Sequence, residues 1–175
     1  RPRVVETDFK GRFVGDTFED GKKVTMSWAV PLLKQYEMPW ALYIPTSFPD
    51  RLVELWWVAL EYVIARNERI GMMINGEQQY FEARNVAEKR ELYDAVYGYL
   101  RSMKSEEEVR RAVRDLCATY RVDIPEICRE LCMAWPEIAH LAEDPLATLG
   151  AHTCNHTLVK EVADADAVPP RAPRR

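Results

Sequence analysis

Two histidines that stand four residues apart, His152 and His156, are the pair of residues in this sequence best suited to bind a metal ion. Imidazoles at positions i and i+4 fall on one face of a helical turn, so both rings can reach one ion. A metal held by two histidines needs a third ligand, preferably an anionic one. The best source is the acidic stretch Asp16–Gly21, near the other end of the chain. The sequence therefore predicts a metal site assembled from two distant stretches.

Both stretches lie at the end of a predicted β-strand. Residues 12–18 are rich in β-branched and aromatic residues and lead into Glu19 and Asp20. Residues 146–151 are predicted to be the third strand of the chain, and they lead into the histidines. Adjacent side chains on an extended strand point in opposite directions, so one carboxylate can face a metal and the other a water molecule. The predicted site thus lies at the carboxyl ends of parallel strands, where α/β barrels build their sites.

The segment that follows the acidic stretch is predicted to be a helix and then a strand. Residues 24–37 suit a helix with one apolar stripe, composed of Trp28, Leu32, Leu33 and Tyr36. Residues 40–44 are nearly all apolar, as in a parallel strand covered on both faces. The acidic residue Asp16, inside the first predicted strand, is expected to be buried and therefore to destabilise the fold. Strand, helix and strand together predict a βα unit with a right-handed crossover.

The middle of the chain is predicted to be a largely helical insertion between the second and third strands, over residues of about 50–142. Its predicted elements are helices at 52–66, 86–102, 105–119, 125–132 and 135–141, and a hairpin over 72–81 that turns at Asn75-Gly76. Residues 1–11 are expected to be a flexible N-terminal segment. Residues 163–175, rich in alanine, aspartate, proline and arginine, are expected to be a disordered tail.

The two chemical stretches also resemble a known family, the polysaccharide deacetylases of carbohydrate esterase family four, which share the NodB-homology domain. Thr17–Gly21 is similar to the family's first motif, T-F-D-D-G, and His152–His156 to its second, H-[ST]-x-x-H. The intervening segments that fit as well are Pro31–Tyr36, Ala41–Phe48 and Leu55–Trp57, the last as in the chitooligosaccharide deacetylase-like branch. The resemblance covers residues of about 12–162.

The resemblance implies an α/β fold, a partial (β/α) deformed barrel of the NodB-homology type that carries the helical insertion. Residues 12–162 would be the N-terminal portion of that domain. The family's later motifs follow its second one in the chain: an arginine motif, an aspartate-tryptophan motif and a late Leu-x-x-His motif. None of them is found here, and the change of composition near residue 163 therefore predicts a truncated domain.

For activity, the resemblance implies a metal-dependent hydrolase of carbohydrate metabolism that removes N-acetyl groups from a chitooligosaccharide or related glycan. Asp20, His152 and His156 would bind a divalent metal ion, with zinc expected. Glu19 stands where the family has an aspartate and would be the general base. Trp56 and Trp57 are candidates to line the sugar cleft. Because the later motifs are absent, an alternative stays open: a non-catalytic truncated remnant that binds metal or sugar without turnover.

Composition narrows the class of protein further. A chain of 175 residues with 47% hydrophobic residues is long enough for one domain with a sizeable core. The formal net charge of −4 argues against nucleic acid as a partner, and no apolar run is long enough to span a membrane. The four cysteines form no C-x-x-C pair and are predicted to be thiols in a reducing compartment. Together with the lack of a visible signal peptide, this predicts a cytoplasmic protein.

Overall fold

The computed structural model of the protein describes residues 15–156. The predictions made for residues 1–11 and 163–175, and for the start of the first strand, lie outside these residues. The described residues divide into two compact units, one formed by residues 15–49 with 133–156 and the other by Asp50–Cys132. No helix in the described part of the chain combines the length and hydropathy that crossing a bilayer requires.

The described residues form the following elements in chain order: β1 (Asp16–Glu19), a π-helical turn (Thr25–Ala29), α1 (Val30–Gln35), β2 (Trp40–Ile44), α2 (Trp56–Arg66), β3 (Arg69–Ile74), β4 (Glu77–Glu82), α3 (Val86–Arg101), α4 (Glu106–Tyr120), α5 (Ile124–Leu131), α6 (Trp135–Ala142) and β5 (Ala147–Ala151). The first unit contains β1, the π-helical turn, α1, β2, α6 and β5, and the second contains α2 to α5 with β3 and β4. The predicted mixed α/β class is confirmed.

The sheet of the first unit has three parallel strands in the order β1-β2-β5. The carboxyl ends of β1 and β5 therefore lie at the same edge, with β2 between them. This arrangement brings Asp20 and His152, the residues that directly follow β1 and β5, to one edge of the sheet. Residues 15–156 form no closed barrel.

One face of this sheet carries the core of the first unit. Trp40, Leu42 and Ile44 alternate along β2 and are buried against both helices of the unit. The helical contribution comes from Val30 and Leu33 of α1 and from Ile138 and Leu141 of α6. The opposite face stays partly exposed, and Tyr43 on it is 40% exposed. The expectation that β2 is covered on both faces is therefore wrong.

The helix after β1 turns a different face to the core from the predicted one. Trp28, Leu32 and Tyr36 are each more than half exposed, and of the predicted stripe only Leu33 is buried. The cause is the π-helical turn over Thr25–Ala29, because hydrogen bonds of the i→i+5 type widen the turn and rotate the residues that follow. The prediction was also wrong for Asp16, which is exposed on β1 and carries no burial penalty.

This rotation of the helix can be tested with two neighbouring leucines. Leu33→Ala is expected to lower the free energy of unfolding by about 2–3 kcal/mol, because the substitution leaves a cavity in the core. Leu32→Ala is expected to change it by less than about 0.5 kcal/mol, because that side chain already faces solvent. Urea unfolding followed by circular dichroism measures both. Equal losses would mean that the regular helical register predicted from the sequence is the correct one.

The second unit is built on α2, which packs against α3 and α4. Its hairpin of β3 and β4 turns at Asn75-Gly76, as predicted, and both residues have the positive φ that a tight two-residue turn requires. The unit ends at Cys132, earlier than the predicted end of the insertion near residue 142. The reason is α6, which buries Ile138 and Leu141 in the core of the first unit. No disulfide joins any of the four cysteines, all of which lie within the described residues.

Candidate metal centre

The acidic stretch ends β1 in a tight turn. Asp20 and Gly21 both have positive φ, 70° and 57°, a conformation that glycine adopts freely and aspartate more readily than most residues. The turn is fixed by a hydrogen bond from the backbone N–H of Met133 to the carbonyl of Gly21, at 2.8 Å. It directs the two neighbouring carboxylates differently. The Glu19 side chain is 65% exposed, whereas that of Asp20 is only 14% exposed.

The two histidines lie in an irregular loop after β5 and not on a helical turn, so the predicted helical geometry is wrong. Thr153 and His156 both have positive φ, and the hydroxyl of Thr153 accepts a hydrogen bond from the backbone N–H of His156 at 3.0 Å. The loop nevertheless places the ring centroids of His152 and His156 5.1 Å apart. Both rings can therefore reach one ion, as expected, but a loop and not a helical turn brings them together.

Backbone hydrogen bonds hold this histidine loop against the segment that follows β2. The N–H of His152 donates to the carbonyl of Ile44 at 3.0 Å. Ser47, which is buried, donates twice to the carbonyl of Cys154, from its N–H at 3.1 Å and from its hydroxyl at 2.6 Å. The ring of Phe48 lies 5.9 Å from that of His156. The supporting role of Ser47 was missed in the sequence; the signal for it is the polar pair Thr46-Ser47, which follows a parallel strand after one proline.

Asp20, His152 and His156 form the site itself. Each offers one ligand atom, and these atoms all lie within 4.8 Å of one another. The closest approach is 3.1 Å, between Oδ1 of Asp20 and Nε2 of His156. Of the His, Cys, Asp and Glu residues in the described ranges, these three form the group that could hold a metal ion. The triad predicted from the sequence is thus present as a possible metal-binding group.

The surroundings of Asp20 suit a bound cation. Its Oδ1 atom is buried, and no described residue gives it a well-aligned hydrogen bond, although Nε2 of His156 is near. Its other oxygen, Oδ2, is 3.2 Å from the ammonium of Lys22. Burial opposes ionisation of this carboxyl, but contact with His156 and the charge of Lys22 outweigh burial and lower the pKa of Asp20. An ionised carboxylate with a buried oxygen that lacks a donor is a suitable metal ligand.

Electrostatics link the histidine to this carboxylate. Contact with Asp20 raises the pKa of His156, although burial of the ring opposes the change. A divalent ion between the two groups would compete with that proton, because a metal binds neutral imidazole. The donor set of two imidazoles and one carboxylate matches that of catalytic zinc sites.

Glu19 lies beside the triad and not within it. Its Oε2 atom is 3.8 Å from Nε2 of His152, and most of the side chain is exposed. The position fits the predicted difference between the two adjacent carboxylates. It leaves Glu19 able to contact a water molecule or ligand at the edge of the site.

The two tryptophans predicted to line a sugar cleft belong to the second unit. Trp56 is 3% exposed; its indole N–H donates to Oε1 of Glu106 at 3.3 Å, and its ring stacks on Tyr97 with centroids 5.3 Å apart. A ring this buried leaves no face for a sugar, so the prediction is corrected for Trp56, which is a packing residue. Trp57 meets it edge to face and keeps partial exposure.

The fold and the site define the chain as an α/β protein with a possible metal-binding triad at the carboxyl edge of a parallel sheet. No protein-family model, curated protein or solved structure is significantly similar to the chain. A functional assignment therefore depends on the geometry of the site and on the motifs that compose it.

Proposed function

We propose that this chain is a metal-dependent carbohydrate deacetylase with a partial NodB-type barrel, which hydrolyses N-acetyl groups on a chitooligosaccharide or a related glycan. The observation that carries the proposal is the convergence of Asp20, His152 and His156 from two stretches far apart in the sequence. The triad also has a candidate general base, Glu19, directly beside it. Metal ligands together with a base favour a functional site over an accidental cluster of three polar residues.

Asp20, His152 and His156 would hold the ion, with zinc the metal best matched to two imidazoles and one carboxylate. When bound, such an ion polarises the acetyl carbonyl and lowers the pKa of a coordinated water. The loop contacts made by Ser47 and Phe48 keep the histidine rings oriented, which limits the reorganisation needed when substrate arrives.

Glu19 is suited to move the proton. An exposed carboxylate next to the ligand His152 can accept a proton from the attacking water. The same carboxyl can then return the proton to the nitrogen of the departing amine, so that acetate and the free amino sugar are released. This role requires the Glu19 side chain to remain mobile enough to reach both atoms, as its exposure allows.

The alternative function is a remnant that binds metal or sugar without turnover. It is favoured by one observation, the three-stranded sheet of the described residues, which leaves one face partly exposed and forms no barrel. In this second candidate the triad would bind metal but the surroundings of Glu19 would not support catalysis. The two candidates make the same prediction for metal binding and opposite predictions for acetate release.

The test measures metal content and acetate release on the same samples of the full chain. The wild type is expected to bind one equivalent of zinc and to release acetate from N-acetylchitotetraose, and chelation is expected to abolish the release. His152→Ala is expected to lose both properties. His140→Ala is the matched control, because that side chain is 72% exposed on α6 and is expected to lose neither.

Zinc binding without acetate release would favour the remnant. No zinc binding by the wild type would contradict the deacetylase and the metal-binding form of the remnant, since both require the triad to hold an ion.

A further inference from the structure

Among the described residues, the exposed face of the parallel sheet carries one aromatic side chain, Tyr43, which is 40% exposed. The strand register aligns Glu19 of β1, Tyr43 of β2 and Gly150 of β5 in one row. The next row on this face contains only small residues, Thr17, Ala41 and Thr148. Residues paired in this way project to the same side of a sheet, with neighbouring strands about 4.8 Å apart. Tyr43 is therefore the immediate neighbour of the candidate base.

The ring of Tyr43 leans on Gly150. A Cβ atom built on that glycine would lie 2.6 Å from both Cδ1 and Cε1 of the tyrosine, a distance that no real side chain tolerates. Only glycine at this position lets the ring lie against the backbone of β5. Tyr43 as a whole nevertheless keeps 40% of its surface exposed. The absence of a side chain at residue 150 thus determines where the tyrosine lies.

An exposed aromatic ring beside a catalytic carboxylate is suited to hold a sugar. The axial hydrogens of a pyranose give it an apolar face that packs on an aromatic ring, while a phenolic hydroxyl can bond the ring substituents. The neighbouring small residues leave space for a bulky flat ligand above the row. A sugar placed there would have its substituents directed along the row toward Glu19.

We propose that Tyr43 is a substrate-positioning residue, whose ring holds the pyranose of an N-acetylated sugar while the acetamide faces Glu19 and the triad. This inference rests on the proposed deacetylase function and extends it by naming the surface that binds the sugar. Tyr43, in the first unit, would then have the sugar-stacking role that the sequence analysis predicted for Trp56 and Trp57. Gly150 contributes to the same sugar-binding surface, because its lack of a side chain allows the position of the Tyr43 ring.

The test compares variants of the full chain by steady-state kinetics and by calorimetric binding of N-acetylchitotetraose. Tyr43→Ala and Tyr43→Leu are expected to raise KM and Kd roughly tenfold, with kcat changed less than about twofold. Tyr43→Phe is expected to stay within about threefold of the wild type. Gly150→Ala is expected to resemble Tyr43→Ala, because the new methyl displaces the ring. Tyr36→Ala, which removes another exposed tyrosine of the same unit just after α1, is the control and is expected to change nothing.

Zinc content and circular dichroism select the variants that keep the fold and the metal. If those variants bind the sugar with wild-type Kd and KM, the positioning role is overturned while acetate release leaves the deacetylase function intact. If the wild type binds the sugar without acetate release and Tyr43→Ala weakens that binding tenfold, the positioning role stands and the catalytic function fails. If the wild type neither binds nor hydrolyses the sugar, both are overturned.

Discussion

Asp20→Asn is expected to lower the affinity for zinc by about 10³-fold or more. Loss of a group that merely orients a ligand costs about 10–100-fold in metal affinity, so loss of the anionic ligand itself should cost more. Asparagine keeps the size of the side chain but offers a neutral oxygen, and His152 and His156 contribute no negative charge. The substitution also leaves the ammonium of Lys22, which now lies 3.2 Å from the carboxylate, as an uncompensated cation beside the ion.

The matched control for this prediction is Asp16→Asn. It makes the same chemical change at the first residue of β1, the strand that Asp20 follows, but Asp16 is exposed and its side chain is not part of the triad. A competition titration against a chromogenic zinc chelator measures both affinities, and the control is expected to stay within about twofold of the wild type. Zinc affinity in Asp20→Asn that remains within about tenfold of wild type would show that Asp20 is not a ligand.

The elements that could be predicted from the sequence are those set by local pattern. The apolar run of β2 and the turn residues Asn75-Gly76 indicate their structures directly, because alternation and positive φ are properties of a few neighbouring residues. The parallel pairing also follows, since a short strand-helix-strand unit permits little else. The common edge for Asp20 and His152 is a consequence of that pairing.

The orientation of the helix after β1 could not be predicted from the same kind of pattern. A regular helical period assigns Trp28, Leu32 and Tyr36 to one buried stripe, but the π-helical turn over Thr25–Ala29 rotates them into solvent. Whether one turn widens depends on how the helix meets the sheet, which no local period records. The conformation of the histidine loop is similar, because it is set by hydrogen bonds to Ser47, more than 100 residues away in the chain.

The composition of the triad was predictable, and its supports were not. Asp20, His152 and His156 belong to residue types that bind metals, so spacing and motif identify them. Lys22 and Tyr43 have no such signature, and their importance arises from distances that exist only after folding. Residue type therefore indicates which side chains can bind a metal. The residues that neighbour them are determined by the register of the strands and by the fold.

Glu19→Gln is expected to lower kcat/KM for acetate release by about 10²–10⁴-fold while zinc affinity stays within about threefold of wild type. Glutamine keeps the shape of the side chain but cannot accept the proton of the attacking water, and general-base catalysis contributes about that factor. Zinc should be retained because Glu19 is outside the triad, with its carboxylate 3.8 Å from a ligand histidine. Acetate release and zinc titration on the same samples provide both measurements.

A second substitution, Glu19→Asp, separates the effect of the negative charge from the effect of side-chain length. It keeps a carboxylate but withdraws it by about 1 Å, a displacement that can cost about 10²-fold in rate. Glu143→Gln, an exposed change elsewhere in the first unit, is the control and should alter neither rate nor metal. Loss of zinc from Glu19→Gln would make Glu19 a fourth ligand and leave the base unassigned. If Glu19→Gln keeps both its zinc and the wild-type rate, Glu19 is not the general base, because no proton transfer would then depend on its carboxylate.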